Sequence, residues 1–194
     1  QTCALPIYDL KGLIEVIKKD PGKYNYATVG VGSTQHLTAE LFRQRAGLQA
    51  QAVSFRTTGE VVTALLRKDV AYAVDLAHAV RGQVESGELK LIAVATGKRF
   101  PSLPKVPTVI ESGIPGFEIN GWYGFVYPAG VPQAVIDKTH KALTQVLSRD
   151  AVKKQLANIG AEAALSSPQE FGKLIADEVT RWREVAKAAK IEPQ

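Results

Sequence analysis

Apolar residues fall by turns at helical spacing and at strand-like density along the first half of the chain, and that alternation predicts its fold. Leu10, Leu13, Ile14 and Ile17 share one face of a helix that Asp20-Pro21-Gly22 stops. Residues 24–29 (YNYATV) suit a strand, and the glycine-rich turn Gly30-Val31-Gly32-Ser33 follows it. Ser33 or Thr34 caps the next helix, which carries Leu37, Leu41 and Phe42 on one face and ends at Gly47. The unit then recurs. Residues 51–55 form a strand, Thr57-Thr58-Gly59 the turn and cap, and Val61, Val62, Leu65 and Leu66 mark a helix running to about Lys68. A third strand is predicted over 70–74 with Asp75 at its carboxyl end, then a helix through Val84 and a fourth, apolar strand over 89–95 (LKLIAVA). Strands separated by single helices pair in parallel through right-handed crossovers, so 8–95 reads as a small α/β layer.

The texture changes at Thr96. From there to Gln133 the chain is dense in proline and glycine and carries the pair Trp122-Tyr123, which reads as a crossover between lobes. Within it a short helix is predicted at 108–112 and a strand at 122–127 (WYGFVY). Beyond Pro132 the pattern is helical. Val135, Ile136, Thr139, Leu143, Val146 and Leu147 make one stripe, and Phe171, Leu174, Ile175, Glu178, Trp182 and Val185 another with one charged interruption. Ala163-Ala164-Leu165 predicts a short strand between them, and Ser166-Ser167-Pro168 caps the last helix with Glu170 nearby. Two long helices with so little sheet do not make a free-standing domain, so this second lobe is expected to lack some of its strands. The organisation expected is an α/β ligand-binding lobe over 8–119 and a returning part of another lobe over 120–194.

Composition narrows the function classes. The chain has 194 residues and a formal net charge of +5, but its 24 basic and 19 acidic residues are interspersed. Nucleic-acid binders cluster their cations and add stacking aromatics, so that class is set aside. A single cysteine excludes a disulfide framework and a four-ligand zinc module. No apolar run reaches the roughly 18 to 20 residues that a bilayer crossing requires. The chain holds no methionine and opens on Gln1, which marks it as a fragment, and residues 1–7, with Cys3 among them, read as a non-native leader. An export signal is therefore neither present nor excluded.

Candidate chemistry gathers at strand ends. Gly30 and Gly32 let the backbone approach a ligand closely, while first-turn N–H groups and the hydroxyls of Ser33 and Thr34 form an anion pocket. Arg56, Thr57, Thr58 and Gly59 offer the same chemistry with a cation added. In an open parallel sheet such turns lie along one edge, where ligands bind. A carboxylate suits both turns, and Asp75 suits an amino or hydroxyl group or a bridging water. The alternative reading is an NADP-binding, Rossmann-like enzyme. Its fingerprint is incomplete, because Gln35 stands where a glycine or alanine belongs, and Arg56 rather than an acid follows the second strand. Ser33, His36 and Asp75 supply the residue types of a hydrolytic triad without its Gly-x-Ser-x-Gly elbow, so no catalytic residue is assigned. His36 with Glu40 one turn on, and the isolated His78 and His140, give no metal-ligand spacing, so no metal and no cofactor are expected.

Four separated motifs then resemble one family. They are residues 24–37 (YNYATVGVGSTQHL), 85–94 (ESGELKLIAV), Lys98-Arg99 followed by 103–113 (LPKVPTVIESG), and Gly121-Trp122-Tyr123-Gly124 with Pro128-Ala129-Gly130-Val131-Pro132. Together, in unbroken order over about 8–191, they resemble the tripartite tricarboxylate transporter substrate-binding proteins, or Bug receptors. The resemblance implies a periplasmic, monomeric, two-lobed α/β receptor of the type II periplasmic-binding-protein kind, one lobe nearly complete here and the other partial. It closes on a small carboxylate, namely a dicarboxylate, a tricarboxylate or an acidic amino acid, and delivers it to membrane transporter subunits. The family's ligand-facing turns fall on Gly30, Gly32, Ser33 and Thr34, and on Arg56, Thr57, Thr58 and Gly59, with Asp75 at the acidic position. Two departures stand out: Phe55-Arg56-Thr57 where the family commonly shows tyrosine, a basic residue and glycine, and Lys68-Asp69-Val70-Ala71 in place of Gly-x-Val-Asp.

Overall fold

The computed structural model describes residues 7–158 and 160–191. The leader expected at 1–7 lies outside them except for Ile7. Two compact units are present: one takes the described residues to Asn120 together with those from Glu184 onward, the other Gly121–Arg183.

In the first unit the sequence signals become elements in the expected order. Helix α1 (Leu10–Lys19) starts where the Asp9 carboxylate accepts the Gly12 N–H at 2.8 Å, and it buries Leu10, Leu13 and Ile17. Strand β1 (Asn25–Val29) leads into helix α2 (Thr34–Ala46), which Ser33 caps and Gly47, at φ 64°, ends. Strand β2 (Gln51–Phe55) leads into helix α3 (Thr58–Arg67), capped by Thr57. Strand β3 is Tyr72–Ala73 only. The three pair in parallel in the order β2-β1-β3, with Val29 opposite Phe55 and Ala27 opposite Ala73.

That order fixes where the helices lie. The step from β1 to β2 and the step from β2 to β3 run in opposite directions across the sheet, so crossovers of one hand put α2 and α3 on opposite faces. Side chains agree. Tyr26 and Tyr72 stack at 5.3 Å on the α2 face, where Phe42 meets Tyr72 and Phe117 edge-on. Ala27, Val61, Ala64 and Val70 form the aliphatic core beneath α3.

Several expectations are corrected. The helix through Val84 is a 3₁₀ turn, Ala77–Val80, followed by the short helix α4 (Arg81–Glu85). The run at 89–95 is not a strand: only Val94 bridges, in parallel, to Thr108. An apolar run shows that a segment suits burial but does not supply the neighbour that a ladder requires. At 108–112 Thr108 and Glu111 make a reciprocal cap, Glu111 N–H to Thr108 Oγ1 at 3.0 Å and Thr108 N–H to Glu111 Oε2 at 2.7 Å. The expected helix nevertheless does not form, and the segment remains a single turn, because Gly113, at φ 104°, and Pro115-Gly116 follow.

The second unit contains helices α5 (Gln133–Leu147) and α6 (Asp150–Asn158) and most of α7 (Pro168–Ala188). The cap expected on α7 forms: Glu170 N–H donates to Ser167 Oγ at 3.2 Å and Ser167 N–H to Glu170 Oε2 at 2.8 Å. The Ser167 N–H and, at 2.8 Å, the Ser167 hydroxyl donate to the Glu170 carboxylate and lower its pKa from the usual value. Helix α6 was not expected; Asp150 with Val152 and Leu156 is its signal, too short to stand out beside α5. No strand forms at 122–127 or 163–165 among the described residues. Tyr123, Phe125 and Val126 are instead 91, 71 and 73% exposed, an apolar row without a sheet to join.

Trp122 finds a partner in Phe171, edge-on at 5.2 Å. Gly124 is what lets that ring sit there, since a Cβ on it would lie 2.7 and 2.8 Å from Phe171 Cε1 and Cε2. Gly124→Ala should therefore push the ring off Trp122 and destabilise this unit by about 1–3 kcal/mol. Tryptophan-detected urea unfolding reads the effect, and an unchanged midpoint would refute the packing.

Candidate functional site

The candidate site lies at the carboxyl ends of β1 and β2. Gly30 N–H continues the ladder to Phe55 C=O at 3.0 Å, so the two turns begin side by side. From there they diverge, β1 into α2 on one face and β2 into α3 on the other. The carboxyl ends of the strands are the edge where open α/β sheets take ligands. Both expected turns are therefore on one edge, as convergence on one ligand requires.

The hydrogen bonds sort the expected residues by what each has left to give. Gly30 N–H belongs to the ladder, and Gly32 N–H donates to His36 Nδ1 at 3.0 Å. These glycines, at φ 66° and 78°, shape the turn with a backbone that side chains strain against, and their amides are already spent. Ser33 Oγ accepts the His36 N–H at 3.1 Å, which leaves its own proton free to donate. Thr34 and Gln35 hold the first two helical N–H groups of α2, which no intrahelical carbonyl can reach.

The second turn is built alike. Thr57 Oγ1 accepts the Glu60 N–H at 3.3 Å, and Arg56 N–H donates to Glu60 Oε2 at 2.8 Å. Thr58 and Gly59 hold the first two helical N–H groups of α3, and both threonine hydroxyl protons remain to be given. The Arg56 guanidinium, exposed, makes no ion pair among the described residues, so the surface pairing common for strand-end arginines is not its role here. Asp75 lies two residues past Ala73, as Val29 lies two past Ala27. Its Oδ1 accepts the Leu76 N–H at 2.8 Å, while its Oδ2 is buried without a partner among the described residues. Buried carboxylate oxygens are rarely left so, which makes Oδ2 the acceptor this edge offers.

No catalytic arrangement emerges. His36 Nδ1 is occupied by Gly32 N–H rather than by the Ser33 hydroxyl, and Asp75 is engaged with Leu76. Among the described residues no group of His, Cys, Asp and Glu is placed to hold a metal ion. No described helix is long and apolar enough to cross a membrane.

His36 is buried, and that burial lowers its pKa below 6.5 against the opposing pull of Glu40 one turn away. The folded state therefore binds fewer protons than the unfolded state in the window below pH 6.5. Stability from this group is complete above that pH and is lost as the pH falls toward the lowered value. Denaturant midpoints measured from about pH 7.5 to about pH 5.5 should fall more steeply for the wild type than for His36→Asn. Parallel slopes would refute this.

The family model described as "Tripartite tricarboxylate transporter family receptor" matches residues 2–191. The chain is 31% identical to protein BugT of Bordetella pertussis over 183 residues, 94% of this chain and 56% of BugT. Among solved structures it is similar to Rhodopseudomonas palustris Rpa4515 with adipate, at TM-score 0.87 and 32% identity over 99% of this chain and 64% of that one. It is also similar to MatC from Rhodopseudomonas palustris with bound malate, at TM-score 0.76 and 27% identity over 94% of this chain and 63% of that one. The chain thus spans about half the length of the curated relatives it matches. A match over nearly every residue, on a fold that superposes on periplasmic binding proteins, places the chain in the tripartite tricarboxylate transporter receptor family, a family of substrate-binding receptors rather than enzymes.

Proposed function

We propose that the chain is part of a periplasmic, monomeric solute receptor that binds a small carboxylate and hands it to a tripartite tricarboxylate-type membrane transporter. The observation that carries this reading is the pair of adjoining turns at the β1 and β2 ends, whose remaining groups are nearly all donors. Oriented N–H and hydroxyl donors with a nearby guanidinium bind an anion without reorganising, and enclosure between lobes would strengthen each bond. Adipate and malate in the two similar structures are both dicarboxylates, in keeping with that chemistry. Within the site, Ser33, Thr34, Thr57, Thr58 and Gly59 donate, Arg56 supplies charge, and Gly30 and Gly32 hold the turn. Asp75 Oδ2 accepts from a ligand hydroxyl or amino group, or from a bridging water. Closure on the ligand produces the form that the transporter recognises.

The NADP-dependent enzyme left open by the Gly-x-Gly turn gives way to membership of a receptor family. Calorimetric titration of the full-length receptor with dicarboxylates, tricarboxylates and acidic amino acids tests the proposal. Saturable binding of at least one is expected, and failure of the whole panel would reject it.

A further inference from the structure

Helices α2 and α3 open on the site with the same construction. Each has a hydroxyl residue at its cap, Ser33 or Thr57, whose oxygen accepts the N–H three residues on. In each, the side chain at that third position reaches back to the N–H before the cap: Glu60 to Arg56 at 2.8 Å, and His36 to Gly32 at 3.0 Å. Helix α7, in the other unit, also has a glutamate three residues past its cap, there accepting the N–H of the cap residue Ser167 itself. The acceptor is a carboxylate in two of the three helices and an imidazole in the third.

A carboxylate there favours the helix, since it both satisfies an orphan N–H and meets the positive end of the dipole. It also places a negative charge where an anionic ligand would otherwise sit. A neutral imidazole supplies the same acceptor without that repulsion. His36 is buried and held neutral by its surroundings, with Nδ1 turned to Gly32.

We propose that His36 is a specificity-determining positioning residue, a charge-free acceptor that keeps the Gly30–Thr34 turn open to an anion. The ligand carboxylate accordingly anchors at the α2 turn, and the α3 turn, with Glu60 and Arg56 adjoining, takes a less charged part of the ligand. This inference rests on the receptor reading above.

The test uses the full-length receptor with adipate, malate and the rest of the carboxylate panel, together with thermal unfolding of the unliganded protein. His36→Gln keeps a neutral acceptor and should hold affinity within about threefold. His36→Glu keeps the cap but adds charge, and should weaken carboxylate binding about tenfold or more while the unliganded protein unfolds near the wild-type temperature. Wild-type affinity in His36→Glu, or an equal loss in His36→Gln, would overturn the inference. Should His36→Glu fail to fold, Glu60→Gln decides the same point: removing the only carboxylate that caps a site helix must leave affinity unchanged or tighter, and a loss would overturn it. Ser33→Ala separates the two readings. If it leaves binding intact, the site assignment is wrong; if it weakens binding while His36→Glu does not, only the role of His36 is. A panel in which nothing binds sinks both.

Discussion

Glu40→Ala should be the most destabilising single change in the α/β unit, costing about 3–5 kcal/mol in denaturant unfolding. Glu40 is buried on α2, where it joins groups from two elements. The Tyr26 hydroxyl on β1, at 0% exposure, donates to Oε1, and Arg43 donates to Oε2 through Nε at 3.0 Å and Nη2 at 2.8 Å. Arg43 Nη1 also reaches Leu48 C=O at 3.4 Å, tying in the segment after α2. Burial and the bond to Glu40 push the Tyr26 hydroxyl well above its usual pKa, and the same carboxylate raises that of Arg43. Removing it leaves a buried phenol without its acceptor and a half-buried guanidinium with only the Leu48 carbonyl, which costs more than the pair was worth intact. The Arg43 side chain is 28% exposed and can turn partly to water, so the lower end of the range is expected. A cycle with Arg43→Ala should show the double variant less destabilised than the sum of the singles. Lys173 and Asp177, an exposed pair on α7, provide the contrast: Asp177→Ala should leave the midpoint unchanged. Equal effects at Glu40 and Asp177 would remove the network from any account of this fold.

That network also shows what the sequence could and could not reveal. Helix boundaries were legible because caps and stops are local chemistry: Ser33, Gly47, Thr57 and Ser167 act where the pattern put them. Strand existence was legible only where a neighbour exists. Residues 51–55 pair along their whole length, whereas 89–95 and 122–127, no less strand-like, find almost no partner among the described residues, since pairing is a non-local property. Tyr26 and Glu40 carry no signal in sequence at all; they meet only because α2 folds back over β1. At the site, the convergence of Gly30 to Thr34 with Arg56 to Gly59 followed from parallel winding. Which amides were already spent did not, because the bonds of Gly32 to His36 and of Arg56 to Glu60 depend on rotamers. His36, set aside as a locally bonded helix residue, does bond locally, but to the Gly32 N–H of the candidate turn, which that reading did not foresee. Its position three residues past a serine cap was the available sign.

The second large effect belongs to the donors. In the full-length receptor, Ser33→Ala and Thr57→Val should each weaken binding of the carboxylate ligand by about 1–3 kcal/mol, or about five- to 150-fold, with Ser33, at the anion, toward the upper end and Thr57, at a less charged part of the ligand, toward the lower. Both oxygens also cap their helices, so each change costs about 1 kcal/mol of stability as well, and affinity must be measured where the variants stay folded. The residues sit on different helices and share no hydrogen-bond partner, so their effects on binding should add when both donors touch the same ligand. Non-additivity carries its own meaning: a double variant no weaker than the worse single one would show that only one of the two turns touches the ligand. Thr180→Val is the control, a hydroxyl on α7 bonded to its own helix at Ala176 C=O, 3.0 Å away, and it should leave the titration unchanged. Wild-type affinity in Ser33→Ala and Thr57→Val alike would remove the ligand from these two turns, whatever the family binds, because the physical case for the site is that these protons have no other acceptor among the described residues.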